Sequence, residues 1–183
     1  MTQRPTSSLA ACVWIPLFPL HCEEARREGF AACPTALLSP DVSRKVWQVS
    51  RLARHAGVRP GMTVSQAIGL CPTLRLCEPD PVHYDERFTR LLAALSEVSP
   101  IVEPAELGLA YVGGDGLEGI YGGVEKIVEA IKCGTRNAER GTATRSSLSC
   151  SAFPLPSSAF RVGWGKGKFT AWVAASRAKP GDA

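Results

Sequence analysis

A chain of 183 residues with 45% hydrophobic and 21% charged side chains and a mean hydropathy of zero has the make-up of one globular domain or two small ones, which excludes disordered and fibrous classes. No apolar run approaches the roughly 18 residues of a membrane span, and the opening MTQRPTSSLAACVWIPLFPL, interrupted by Pro16 and Pro19, reads as a buried strand rather than a signal peptide; a cytoplasmic protein is expected. The net charge of +4 is uneven: residues 132–183 hold nine Lys or Arg against two acids, a net +7, as contact with phosphate or an ordinary solvated surface would need.

In chain order, the apolar stretch ACVWIPLF (11–18) predicts a strand near an edge or end because of Pro16. HCEEARREG predicts a helix stopped by Gly29. Short strands are expected at 35–38, 46–50 and 74–77. Between them lie RLARHAG and a second helix capped by Thr63 and ended by Pro72. DPVHYDERFTRLLAALSEV is the clearest helix, with Phe88, Leu91, Leu92 and Leu95 on one stripe. SPIVEPAELGLAYVGG predicts strands at 99–103 and 106–112 separated at Pro104. GGVEKIVEAIKCG predicts an amphipathic helix, and 135–158, rich in Ser, Thr, Arg and Pro without a period, a flexible insertion. The last segment predicts a strand, a glycine turn and an Ala-rich helix ended by Pro180.

Seven cysteines (12, 22, 33, 71, 77, 133, 150) form no C-x-x-C pair, and three histidines (21, 55, 83) lack ligand spacing, so reduced thiols are expected and no metal site. The glycine turn GWGKGKF fits neither the P-loop nor the dinucleotide fingerprint.

Three segments in order resemble the Y-family, or translesion, DNA polymerases of the UmuC/DinB type. ARHAGVRPGMTVSQAIGLCPTLRL (53–76) is similar to the fingers stretch of that family. SPIVEPAELGLAYV (99–112) is similar to its S-P-x-x-E and catalytic palm strand, and VGWGKGKFTAWVAASRAKPG (162–181) to the strand, turn and helix that end in Lys-Pro-Gly. The resemblance implies an α+β fold: a ferredoxin-like βαββαβ palm from 1–19 and 79–183, with a small, mostly helical fingers insertion at 20–78 and no thumb or little finger.

The resemblance also implies what is missing. The family's first palm strand carries Asp-x-Asp and its second an Asp-Glu pair. Here Trp14 and Pro16 occupy the first two positions, Gly108 and Leu109 the others. Active members use two Mg²⁺ ions, hard cations that require oxygen ligands, so no metal, no catalytic residue and no cofactor are expected. Glu103, Glu106 and Asp115 are the nearby carboxylates, with Glu106 expected two residues before Gly108 on the same strand face. The W-I-P-L-F-P opening and the carboxylate loss resemble the ImuB-like branch. That branch implies a non-catalytic DNA-repair accessory protein that binds DNA and works with a replicative-type polymerase subunit and the sliding clamp, with no membrane partner.

By the same resemblance Arg54 and Lys168 match phosphate contacts, with Lys166 and Lys179 close by in sequence. Arg54 reads equally as a helix-surface arginine. Trp164 and Trp172 read as core residues or base-stacking platforms, and Phe18 matches a family aromatic without an assigned role. Two other readings stay open: an active polymerase fragment in which Glu103, Glu106 or Asp115 regroup around a metal, and a truncated gene product with no independent role.

Overall fold

The computed structural model describes residues 9–123, 126, 127, 130, 131 and 159–179. These fall into two compact units, one of residues 1–16 and 87–183, the other of residues 17–86. The units change over at 16/17 and 86/87, where the sequence reading draws its lines at 19/20 and 78/79.

The first unit is built on a four-stranded antiparallel sheet ordered β5-β6-β1-β7. Its strands are β1 (Leu9–Trp14), β5 (Val102–Glu106), β6 (Leu109–Gly113) and β7 (Arg161–Lys166). Helix α4 (Pro81–Ser96) precedes β5 in the chain, and the short helix α5 (Leu117–Tyr121) follows β6. Lys126, Ile127, Ala130 and Ile131, helical residues between β6 and β7, complete the expected βαββαβ order. Strand β1 lies between β6 and β7, and its residues 10–13 are buried on both faces, as the apolar run LAACVW requires.

Helix α6 (Lys168–Arg177) lies on the backbone of β7. A Cβ on Gly163 would stand 2.0 Å from the Ala175 nitrogen and 2.3 Å from the Ala171 oxygen. Glycine on the strand and alanines on the helix therefore make this contact possible. Ala10, Cys12, Leu109, Ala171 and Ala175 form the core beneath it, flanked by Trp14 and Tyr111.

The second unit holds a three-stranded sheet of β2 (Thr35–Leu38), β3 (Val46–Val49) and β4 (Arg75–Cys77), ordered β3-β2-β4. Its helices are α1 (Phe18–Arg26), α2 (Arg51–His55) and α3 (Val64–Leu70). Thr63 and Gln66 make a reciprocal capping box on α3. Ser50 caps α2 by accepting the Ala53 amide.

Several sequence expectations shift. The strand expected at 11–18 ends at Trp14, because Pro16 and Leu17 (φ 57°) turn the chain and Phe18 opens α1. That helix stops at Arg26, before Gly29. Pro104 does not separate two strands. It sits inside β5, at the sheet edge, where a missing amide is tolerated and the ladder slips beside it. The break comes instead at Gly108, whose φ of 84° favours glycine and closes the β5–β6 hairpin. The insertion expected at 135–158 lies outside the described residues.

Candidate functional site

The hairpin geometry brings together the positions that sequence resemblance assigns to metal binding. Trp14, at the end of β1, is the cross-strand partner of Leu109, at the start of β6. The Ile15 amide donates to the Gly108 carbonyl at 2.7 Å. The backbone thus converges where ligands would be needed, yet the converging side chains are an indole and an isobutyl group. Arg161, opposite Trp14 on β7, holds its guanidinium 5.3 Å from the centre of the indole ring and donates to the Ser176 carbonyl at 3.4 Å. A fixed positive charge over a carbon-rich face disfavours a divalent cation, so these residues do not fit a magnesium pair.

The neighbouring carboxylates do not regroup. Glu106 is not on the strand of Gly108: it ends β5, across the turn, opposite Leu109, and is exposed. The turn at Gly108 reverses the chain and removes the shared face expected from the sequence. Glu103 is ion-paired with Lys168, whose ammonium also lies 5.7 Å from the centre of the Tyr111 ring. Asp115 accepts the Leu9 amide at 2.9 Å. Among the described residues no group of three or more His, Cys, Asp or Glu could hold a metal ion.

The basic candidates separate. Lys166 and Lys168 flank Gly167 at the β7–α6 turn, and both are exposed. Lys179 follows the far end of α6, about 15 Å away at 1.5 Å per residue. Arg54 is exposed on α2, in the other unit. Trp164 is half-buried, and its ring fills the space that a side chain at Gly114 would need. Trp172 is 39% exposed. Phe18 is buried in the core at the first turn of α1.

Sequence reasoning missed a charged cluster in the second unit. Glu23 on α1 is fully buried, accepts from the Tyr84 hydroxyl at 2.9 Å and from Arg26 at 3.2 Å, and is ion-paired with Arg27, whose Nε lies 3.2 Å away. The Cys77 thiol donates to it at 3.5 Å. Burial first, and then the Glu23 charge, push the Cys77 thiol up to about 11. Glu-x-x-Arg-Arg spacing was the available signal, since i, i+3 and i, i+4 residues share a helix face. Burial and the contributions of Tyr84 and Cys77, 61 and 54 residues on, left no local trace. Arg161 was missed for the same reason.

Residues 13–152 match the impB/mucB/samB family. The DNA polymerase IV of Alkaliphilus oremlandii is 29% identical over 121 residues, which cover 63% of this chain and 30% of that protein. The DNA polymerase IV of Clostridium kluyveri is 26% identical over 165 residues, 89% of this chain and 37% of that protein. The chain thus spans about a third of the length of these curated relatives. Among solved structures, a post-insertion binary complex of Dbh DNA polymerase superposes with a TM-score of 0.76 at 18% identity, covering 94% of this chain and 46% of the other. DinB from Sulfolobus solfataricus gives 0.73 at 20% identity, covering 95% and 47%. The fold is that of the palm and fingers of Y-family DNA polymerases. Matched over well more than half its length, this chain belongs to the impB/mucB/samB family.

Proposed function

We propose that this chain is a cytoplasmic, DNA-binding participant in lesion bypass that makes no phosphodiester bonds itself, as in the ImuB-like branch. The observation that carries this reading is the pairing of Trp14 with Leu109 beneath the Arg161 guanidinium. Nucleotidyl transfer by two metal ions needs clustered oxygen ligands at that point. Among the described residues no cluster of three acids or other ligands lies there, and Glu106, opposite Leu109, is a single exposed carboxylate. In such a role the chain would hold DNA while a replicative-type polymerase subunit and a sliding clamp supply synthesis and processivity.

Lys166, Lys168, Lys179 and Arg54 are the candidate phosphate contacts. Exposed lysines attract phosphate without reading sequence, so affinity would be weak and fall steeply with salt. Lys168 is shared with Glu103 in the free chain. Exposed pairs of this kind are worth about 0 to 1 kcal/mol, so a phosphate can displace Glu103. Replacing Lys166 and Lys168 together by Glu is expected to remove most of the binding, read by fluorescence anisotropy with a labelled duplex at low salt.

Primer extension with Mg²⁺ and with Mn²⁺ tests the central statement. No incorporation above a no-protein control is expected. Robust incorporation by the purified chain would overturn it and favour the active-fragment reading, with Glu106 as a ligand.

A further inference from the structure

We infer that the outer face of α6 is a stacking platform for the bases of single-stranded nucleic acid. This rests on the DNA-binding reading above and deepens it by naming the strand state and the residues. Phe169 is 76% exposed and Trp172 is 39% exposed. They lie one helical turn apart, with ring centroids 6.4 Å apart and planes inclined by 31°. Large aromatics on a helix normally turn inward, and here the inward positions are taken by Ala171 and Ala175, buried against β7. The close approach that those alanines make with Gly163 leaves no room for an aromatic beneath the helix, so both rings face solvent.

Charge selects the occupant. Residues 159–179 contain Arg161, Lys166, Lys168, Arg177 and Lys179 and no Asp or Glu. Lys166, Lys168, Arg177 and Lys179 are exposed at the two ends of α6, with the aromatic pair between them and Lys168 also paired with Glu103 of β5. A helix of ten residues spans about 15 Å, the reach of two or three nucleotides of an extended strand. Two π-faces flanked by cations at both ends match a chain of bases joined by phosphates. Duplex DNA, whose bases are stacked on each other, presents no free face to them. Stacking on aromatic side chains is sequence-tolerant, because every base has a π-face.

The test uses the 183-residue chain and three labelled ligands at low salt: a dT20 strand, a 20-base-pair duplex of mixed sequence and an abasic strand of equal length. The variants are F169A/W172A and F169Y/W172F, at solvent-exposed positions where folding is checked by circular dichroism. Wild type is expected to bind dT20 more tightly than the abasic strand. F169A/W172A should lose about 5- to 150-fold in dT20 affinity for each base unstacked, retain its duplex affinity within about twofold and bind dT20 no better than the abasic strand. F169Y/W172F should retain most of the dT20 affinity. If F169A/W172A leaves dT20 affinity unchanged while the wild type still binds duplex, the platform is refuted and the DNA-binding reading survives. If no ligand binds, both fail. If dT20 affinity is unchanged but the wild type self-associates in sedimentation and F169A/W172A does not, the aromatic pair is a protein contact and the inference is overturned.

Discussion

Nine residues apart in the chain, Trp14 and Glu23 show opposite treatments of charge. At Glu23, in the second unit, a fully buried carboxylate is kept and met by a phenol, a thiol and two guanidinium groups. At Trp14, in the first unit, the position that resemblance assigns to a carboxylate holds an indole paired with Leu109 and covered by Arg161. The difference is one of compensation. A buried carboxylate is stable where fixed donors surround it, whereas carboxylates converging on one point repel each other unless a cation lies among them. With Trp14, Gly108 and Leu109 at the matched positions that repulsion does not arise, and these side chains offer magnesium no oxygen ligand.

The comparison can be broken first through the helix that covers the first unit. Gly163→Val drives two methyl groups into the backbone of α6 at Ala171 and Ala175, where no flexible side chain can give way. A loss of about 3 kcal/mol or more is expected, read as a lowered urea midpoint by circular dichroism. A midpoint equal to wild type would show that α6 does not rest on β7 as described.

In the second unit, Glu23→Ala leaves the Tyr84 hydroxyl and Cys77 thiol buried without their acceptor and removes an ion-pair partner of Arg26 and of Arg27, Arg26 keeping Asp80 at 2.7 Å. A loss of about 2 to 4 kcal/mol is expected, discounted because Arg26 and Arg27 reach solvent. Tyr84→Phe removes one donor and should cost about 1 kcal/mol. Equal losses in the two variants would mean that the arginines and the Cys77 thiol add nothing beyond Tyr84.

Alkali touches both units. Burial pushes the Cys12 thiol from 9.0 up to about 12, and Cys77 moves up to about 11. A thiol whose folded value is raised holds its proton longer folded than unfolded, so its contribution is complete below pH 9 and is lost as pH rises toward these values. The slope is at most about 1.4 kcal/mol per pH unit per group. Urea midpoints should therefore be level from pH 7 to 8.5 and decline from pH 9 to 10.5, less steeply in Cys12→Ala. A flat profile through pH 10.5 would contradict burial of both thiols.

Much of the architecture was legible because its signals are local. The apolar run of β1, the stripe of Phe88, Leu91 and Leu95 on α4, the Thr63 cap and the glycine turn before α6 each lie within a few residues and follow from periodicity and capping. The candidate site was legible only as a loss: four positions without oxygen ligands could be read from the order of residues. Glu106 was misplaced because a turn at positive φ depends on one glycine that also fits a strand.

The sequence by itself determined the family, the order of strands and helices and the absence of carboxylates at the matched positions, since each depends on residue type along the chain. Only the tertiary structure decided that Trp14 meets Leu109 under Arg161, that Glu103 pairs with Lys168 and that Glu23 gathers partners from α1, β4 and α4. Those contacts join residues tens of positions apart, and cross-strand register and helix packing, not local preference, set which side chains come within reach.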